Sequence, residues 1–280
     1  MFFSIIIPSY NRKYLLKIAI ESVLEQTFKD FELIIVDDGS TDKTKELVET
    51  YKDKRIRYLY QENKGPASAR NSGIKNSSGE YICFLDSDDR FRRQKLELTK
   101  DYIEKYPQYK IFHTEELWYR NFQYLEQKKI HKKPEGFVFC SALKICCISL
   151  SCACINRKVF NKVSLFDEDF PVCEDYEFWL RATLFFPVKL IPFYLTIKEA
   201  GPHQQSQKKG LDKYRLLALY KLIKNYQLPG GYLEPALKNL EEKAKIYIKG
   251  AEKRGKTSEV RFIREKIEEI NKIYGTRVLF

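Results

Sequence analysis

Three carboxylates follow a short apolar stretch, and their crowding is the first sign of chemistry in this chain. Residues 81–85 are typical of a buried parallel strand, and Asp86, Asp88 and Asp89 come directly after it. Ligands of open α/β sheets bind beyond the carboxyl ends of such strands. A divalent cation, Mg²⁺ or Mn²⁺, held together with substrate phosphates would relieve the repulsion between the carboxylates. The run therefore predicts a metal–diphosphate site, and the alternative is a solvated turn that caps the next helix.

The first 90 residues contain the elements that would position this run. Apolar stretches at 3–7, 31–36, 56–60 and 81–85 alternate with helical patterns at 13–25, 41–51 and 66–76. Repeated βα units of this kind predict an α/β fold with a doubly wound, mostly parallel sheet. The four loops that follow the strands should meet at one sheet edge, where they could share one ligand.

Those loops carry the groups that a nucleoside diphosphate requires. They offer an aromatic ring for stacking, carboxylates for a ribose or base, cations for phosphates, and the acidic run. The chain has neither a GxGxxG after the first strand nor a GxxxxGK[ST], so the glycines of dinucleotide folds and P-loop enzymes are missing. Phosphate binding would have to use side chains and a metal.

Composition indicates a globular protein. The 280 residues are 44% hydrophobic, and no apolar run approaches the roughly 18 residues of a membrane span. The N-terminus lacks the features of a signal peptide, and seven cysteines without paired CxxC spacing predict reduced thiols, so we expect a cytoplasmic protein. Cys152 and Cys154 would face the same way on a strand, but a zinc site there is not favoured.

The net charge of +12 is suited to a polyanionic partner. Residues 211–280 hold 16 Lys and Arg against 9 Asp and Glu, a difference of +7. Helical runs near 211–225, 233–254 and 256–273 are compatible with peripheral contact with an anionic membrane or with a helical hairpin packed on the domain. No nucleic-acid-binding motif is present, so nucleic acid is not an expected partner.

An ordered set of motifs over residues 1–205 strongly resembles the family 2 glycosyltransferases of the GT-A fold. The motifs are Ile7-Pro8-Ser9-Tyr10-Asn11-Arg12, Val36-Asp37-Asp38-Gly39-Ser40-Thr41-Asp42, Ala69-Arg70-Asn71-Ser72-Gly73, Phe84-Leu85-Asp86-Ser87-Asp88-Asp89, Cys173-Glu174-Asp175 and His203. The resemblance implies a GT-A domain at 1–205, with a nucleotide-binding half at 1–90 and an acceptor-binding half at 91–205. Residues 206–280 would be a basic helical extension.

The resemblance also implies roles for the loop residues. The nucleotide would be bound by Pro8, Ser9, Tyr10, Arg12, Asp38, Lys64, Arg70, Asp86 and Ser87, with Lys64 and Arg70 near the diphosphate. Asp86-Ser87-Asp88 would be the DxD motif, with Asp88 as the direct ligand of Mn²⁺ or Mg²⁺, assisted by Asp86 and His203. Asp89 would be left as the helix cap.

Two further sites concern the acceptor. Asp175 would be the general base and Glu174 would orient the acceptor, although acidic residues also favour a helix N-terminus without any catalytic role. Glu116 and Trp118 suit sugar binding, and the alternative is a half-buried strand with a core tryptophan.

The reaction that the resemblance implies is inverting transfer of a hexosyl or N-acetylhexosaminyl group. The donor would be a nucleoside diphosphate sugar, with a UDP-sugar expected, and the acceptor a saccharide or lipid-linked saccharide, as in surface polysaccharide or glycoconjugate synthesis. The alternatives are a degenerate protein that binds nucleotide without turnover and a sugar-1-phosphate nucleotidyltransferase. The sequence indicates neither the donor sugar nor the oligomeric state.

Overall fold

The computed structural model describes residues 1–120, 123–201 and 210–275. Within these ranges a nine-stranded sheet has the order β3-β2-β1-β4-β8-β6-β9-β5, with β7 paired to β6. The strands are β1 (Phe3–Ser9), β2 (Phe31–Asp38), β3 (Ile56–Gln61), β4 (Tyr81–Phe84), β5 (Arg90–Phe91), β6 (Ile111–Arg120), β7 (Gln123–Leu125), β8 (Ala153–Asn156) and β9 (Val188–Glu199). The helices are α1 (Lys13–Leu24), α2 (Thr44–Glu49), α3 (Pro66–Lys75), α4 (Lys95–Lys105), α5 (Phe139–Lys144), α6 (Arg157–Val163), α7 (Glu174–Phe185), α8 (Leu211–Asn225), α9 (Leu233–Glu252) and α10 (Thr257–Tyr274).

The central strands are apolar on both faces because helices cover both. In β1, Ile5 and Ile7 pack into a core with α1 and α4, whereas Ile6 packs into the opposite core with α3, α6 and α7. Side chains alternate between the faces of a strand, so a continuous apolar run supplies both cores. β1 pairs in parallel with β2 and β4, which brings their carboxyl ends to one edge as expected.

The second half of the sheet is longer and less regular than the sequence pattern indicated. The short apolar stretch at 110–113 covers only the start of β6, which runs in parallel with β9 as far as Tyr119. Shifts of register on either side of Glu115 interrupt the pairing, which explains why no simple alternation is visible there. The polar segment at 123–136 contains β7 and a turn of 3₁₀ helix, Lys129–His131.

The three C-terminal helices share a hydrophobic core with the rest of the chain. Leu219 of α8, Leu240 of α9 and Ile263 of α10 lie in the same buried cluster as Tyr176 and Leu180 of α7. The hydroxyl of Tyr176 also donates to the carbonyl of Leu143 in α5, at 2.7 Å. The helix that begins with Glu174 and Asp175 is therefore packed on the C-terminal bundle. No helix in the described ranges combines the length and apolarity needed to cross a bilayer.

Candidate functional site

Hydrogen bonds join the loops after β1 and β2. Asn11, which has a positive φ of 50°, donates its backbone N–H to the hydroxyl of Ser40 at 2.9 Å. Its side-chain oxygen accepts from the backbone N–H of Thr41 at 2.8 Å, and the N–H of Lys13 donates to Asp42 at 2.8 Å. These contacts fix the turn that carries Tyr10 and Arg12 against the second loop.

Asp38 holds the third loop in place. Its buried carboxylate accepts from the backbone N–H groups of Lys64 and Gly65, both at 2.9 Å, and from the side-chain amide of Gln61 at 2.7 Å. Gly39 has a φ of +86°, and a Cβ there would lie 2.9 Å from the backbone nitrogen of Asn63. The loop can therefore approach closely only because residue 39 is glycine.

The predicted nucleotide-binding residues of the first and third loops differ in exposure. The Tyr10 ring is half exposed and the Lys64 side chain is exposed, so both are accessible to a ligand. Pro8 lies half-buried in β1. Ser9 is buried, and in the described part of the chain its hydroxyl has no hydrogen-bond partner. An unpartnered buried hydroxyl at the end of β1 is a polar group available to a ligand.

Arg70 links the acidic run to the N-terminus of α7. Its guanidinium donates to Asp86 through Nη2 at 2.9 Å and to Glu174 through Nη1. Arg70 and Glu174 are both more than nine-tenths buried, whereas the Asp86 side chain is 31% exposed. The structure thus brings together two motifs that are separated by almost 90 positions in the sequence. Glu174 is occupied by Arg70, so its carboxylate is not an open site for an acceptor.

Two more cations contact the acidic run. Arg12 donates through Nη1 to Oδ2 of Asp88 at 2.6 Å. The ammonium of Lys198, on β9, lies 2.7 Å from Asp89 and 3.9 Å from Asp86. Side-chain cations therefore relieve much of the repulsion that the sequence argument had assigned to a metal ion.

Asp89 is not a helix cap, and that prediction was wrong. Helix α4 begins only at Lys95, and Asp89 is buried with its carboxylate accepting from Lys198 and, at 2.6 Å, from the hydroxyl of Ser151. The Ser151 hydroxyl also accepts from the N–H of Asp86 at 3.1 Å. The segment before β8 is thereby connected to the DxD run.

Burial and charge act in opposite directions on these groups. Burial raises the pKa of Asp89 to about 7, with Lys198 opposing the rise and the neighbouring Asp86 and Asp88 adding to it. Burial also raises the pKa of Asp86, but Arg70, Lys198 and Arg12 outweigh it and leave that pKa below its ordinary value. Asp86 is therefore ionised at neutral pH.

Asp175 lies at the open end of α7. Cys173, with a φ of 62°, turns the chain into the helix, and Asp175 accepts from the N–H of Tyr176 at 2.7 Å. Its other carboxylate oxygen accepts from the thiol of Cys146 at 3.3 Å. Burial, followed by the charge of Asp175, raises the pKa of Cys146 far above its ordinary value, so this thiol stays protonated as a donor. Asp175 is half-buried and is not ion-paired within the described ranges.

The proposed acceptor residues differ in their surroundings. Glu116 is buried, and its carboxylate lies 3.1 Å from the ammonium of Lys133. It also accepts hydrogen bonds from the thiol of Cys152 at 2.8 Å and from the indole N–H of Trp118 at 2.9 Å. Burial opposes ionisation, but Lys133 and the other donors lower the Glu116 pKa to about 2. Trp118 is half-buried and pairs in register with Lys198, so its side chain lies on the same face of the sheet as Lys198. Trp118 is thus a register neighbour of Lys198, which contacts the acidic run, whereas Glu116 is occupied by its own ion pair.

The DxD carboxylates are chemically suited to a divalent cation. The carboxylates of Asp86 and Asp88 are hard oxygen ligands. Mg²⁺ and Mn²⁺ need only one or two such ligands when substrate phosphates complete the coordination. In the described ranges no three His, Cys, Asp or Glu side chains gather as in an all-protein metal site, and His203 lies outside those ranges.

Comparison with known proteins decides the family. The sequence model described as Glycosyl transferase family 2 matches residues 4–164, more than half of the chain. The chain belongs to glycosyl transferase family 2. The family resemblance drawn from the motifs is therefore confirmed.

The most informative curated relative is WfgD of Escherichia coli, named as UDP-Glc:alpha-D-GlcNAc-diphosphoundecaprenol beta-1,3-glucosyltransferase. It is 35% identical over 181 residues, which cover 63% of this family 2 chain and 68% of WfgD. Five Rickettsia relatives, each named an uncharacterized glycosyltransferase, are 35–54% identical, and the match spans only 17–60% of their length.

Solved structures confirm the GT-A fold. S. aureus TarS 1-349 in complex with UDP-GlcNAc aligns with a TM-score of 0.71 at 22% identity, over 86% of this chain and 71% of that one. The mannosyltransferase PcManGT from Pyrobaculum calidifontis, in complex with GDP-Man and Mn²⁺, aligns with a TM-score of 0.59 at 15% identity, over 98% and 87% of the two chains.

Sequence reasoning missed Lys198, Ser151 and Cys146. Each contacts a predicted site residue, but each comes from a segment with no recognisable motif. The only signal for Lys198 was its place near the end of an apolar stretch that leads toward His203. A lone lysine in such a position is too common to single out.

Proposed function

We propose that this family 2 chain is an inverting glycosyltransferase that moves a sugar from a UDP-sugar to a hydroxyl of a lipid-linked saccharide. The observation that carries the proposal is the Asp86–Arg70–Glu174 bridge, which joins the diphosphate loop to the helix bearing Asp175. A transferase needs these two groups on opposite sides of one anomeric carbon. The names of WfgD and the TarS complex support the donor class, and that of WfgD supports the lipid-linked acceptor.

The base would be Asp175. Its carboxylate takes the proton of the acceptor hydroxyl while the acceptor oxygen forms a bond to the anomeric carbon. The bond from that carbon to the diphosphate oxygen breaks at the same time, and the nucleoside diphosphate leaves from the opposite face. A positioned base of this kind contributes about 10²–10⁴ in rate. Tyr176 N–H and the Cys146 thiol hold the carboxylate in place.

The diphosphate would be held at the DxD run. Asp88 and Asp86 would bind a divalent cation, which supplies charge neutralisation for the leaving group. The exposed ammonium of Lys64 is free to contact phosphate oxygens. Both terminal nitrogens of Arg70 donate to Asp86 and Glu174, so its role would be to position those carboxylates. The half-exposed Tyr10 ring and the unpartnered Ser9 hydroxyl are available to the nucleoside.

Metal-dependent nucleotide binding tests the donor site. We expect Mn²⁺ to strengthen UDP binding to the wild type, and Asp88→Ala to remove that gain, when titrations are compared with and without EDTA. Asp101→Ala, an exposed carboxylate on α4, is the matched control. Metal-dependent affinity that survives in Asp88→Ala would place the metal elsewhere.

Turnover tests the base and separates a transferase from a degenerate nucleotide-binding protein. Asp175→Asn should lower transfer by about 10²–10⁴ while UDP affinity stays unchanged. Asp169→Asn, whose side chain is 84% exposed, serves as the control. If wild-type protein binds UDP but neither transfers nor hydrolyses any of a panel of nucleotide sugars, the chain has lost the reaction. A fully active Asp175→Asn would refute the base assignment.

A further inference from the structure

A basic surface lies on the acceptor side of the sheet, apart from the C-terminal helices for which the sequence left membrane contact open. It consists of residues 128–132, called here the basic segment. Lys128, Lys129 and Lys132 are exposed, and none of them forms an ion pair within the described ranges. Ile130, between them, is 65% exposed. Three unpaired cations and a large apolar side chain thus share a stretch of five residues.

The basic segment is held at both ends by one residue of β6. Before it, the side-chain amide of Gln127 donates to the backbone carbonyl of Glu116 at 2.7 Å. After it, the buried ammonium of Lys133 lies 3.1 Å from the Glu116 carboxylate. The segment therefore projects from two fixed points, which gives the exposed side chains a defined place on the surface.

The basic segment lies close to the proposed site. The His131 ring lies 4.9 Å from that of Trp118, and Trp118 pairs in register with Lys198. Lys198 in turn contacts Asp86 and Asp89. A surface bound by the basic segment would thus face the acceptor end of the site. Only β9 separates β6, which carries Trp118, from β5, which directly follows the acidic run.

The C-terminal helices have a different charge pattern. Although their net charge is higher, many of their cations have acidic partners on the same or a neighbouring helix, among them the pairs Lys224–Glu269, Lys245–Glu241, Lys256–Glu259, Lys266–Glu269 and Arg264–Glu252. Such pairs weaken the attraction to an external anionic surface. Lys249, Lys253 and Arg261 also lack ion pairs in the described ranges, as the lysines of the basic segment do, so the segment differs from the helices by its position beside Trp118 rather than by pairing alone.

We propose that the basic segment docks the protein on an anionic phospholipid surface, with the three lysines contacting lipid phosphates and Ile130 entering the headgroup layer. Exposed cations around an exposed apolar side chain are suited to a bilayer interface, whereas a small soluble anion requires converging, partly buried donors. The inference goes beyond the proposed transfer reaction and stands on contacts that the reaction does not use. Its consequence for that reaction is that the acceptor end of the site would face the bilayer.

Vesicle partition of the full chain tests the inference. The probes are phosphatidylcholine vesicles with and without phosphatidylglycerol, at low salt. The combined change Lys128→Gln, Lys129→Gln and Lys132→Gln should lower partition to the anionic vesicles on the order of 100-fold, because each lysine near such a surface contributes roughly a factor of five. Ile130→Ser should weaken partition at both low and high salt, since its contribution is not electrostatic.

The matched control removes three exposed cations from the C-terminal helices, with Lys249→Gln, Lys253→Gln and Arg261→Gln together. Its partition should stay near that of the wild type, and unfolding midpoints should show that all variants remain folded. A large loss in this control with none in the basic-segment variant would overturn the proposal in favour of the tail. Displacement from vesicles by millimolar pyrophosphate at constant ionic strength would also overturn it, because the segment would then be a soluble-anion site. Donor hydrolysis, measured separately in solution, reports on the proposed reaction and leaves the docking result independent.

Discussion

Removing the Arg70 side-chain charge should destabilise the fold more than removing any surface cation. In Arg70→Met, Glu174 would lose the cation that lies against it while remaining 8% exposed. Removing one partner of a buried ion pair lowers the free energy of unfolding by about 3–5 kcal/mol, because the other charge is left uncompensated. The loss of the contact with Asp86 adds little to this destabilisation, because the Asp86 side chain is 31% exposed and still has Lys198 at 3.9 Å.

The assay is thermal and urea unfolding followed by circular dichroism. At about 2–4 °C per kcal/mol for a domain of this size, the midpoint should fall by roughly 6–20 °C. The control is Arg264→Met, which breaks a pair whose side chains are 53% and 50% exposed. Exposed pairs of that kind contribute about 1 kcal/mol or less. Equal decreases of the unfolding midpoint in the two variants would refute the claim that burial makes the Arg70 ion pairs important for stability.

The pH dependence gives a second readout. Burial already raises the pKa of Glu174, against the effect of Arg70, so the pKa should rise further in Arg70→Met. A carboxyl group whose folded-state pKa is raised loses stability as pH rises through that value. The loss in free energy of unfolding caused by Arg70→Met should therefore become smaller as the pH is lowered from 7 toward the ordinary pKa of a glutamate. Adding Glu174→Gln should restore part of the loss, and a double variant no better than Arg70→Met would contradict this origin.

Two further predictions concern the framework around the site. The Glu116 pKa is lowered to about 2 in the folded protein. Its ionised carboxylate should therefore add about 3 kcal/mol to the free energy of unfolding above pH 4.5, and this contribution should be lost as the pH falls toward 2. Lys133→Met should remove most of that dependence in urea unfolding, and an unchanged acid profile would argue against the ion pair. Gly79→Ala should destabilise by about 1–3 kcal/mol or more, because its Cβ would lie 2.5 Å from the backbone nitrogen of Ser4. Gly230→Ala, with nothing within 4 Å, is the control and should unfold like the wild type.

The sequence predicted the nucleotide half of the fold well because its signals are local. Each apolar stretch of that half ends in polar residues of a loop, and parallel pairing alone brings these loops to one edge. The register of β1 with β2 and β4 agrees with that expectation. The bounds of helix α7 also agree with local signals, because an acidic pair opens it and an apolar pattern continues it.

The charge pairing within the site could not be predicted in the same way. Lys198 lies 109 positions after Asp89, and only the sheet order places β9 where its side chain reaches the acidic run. Glu116 looked like an open carboxylate because the sequence does not show that β6 continues past the irregular pairing at Glu115. Both cases depend on long-range pairing in the second half of the sheet. The role of Asp175 as base and the metal ligands stay predictions.

The core that α7 shares with α8–α10 affects where the chain can be cut. The family match ends at residue 164, and the motifs that suggested the family end near residue 205. Yet Tyr176 and Leu180, one and five residues after Asp175, pack into a cluster that includes Leu219, Leu240 and Ile263. A chain ended after about residue 210 would expose that apolar face and leave the helix that bears the proposed base supported on one side only. Loss of membrane binding by such a truncated chain would report misfolding rather than a missing surface, so charge-reducing substitutions in the full chain are the appropriate way to locate a membrane contact.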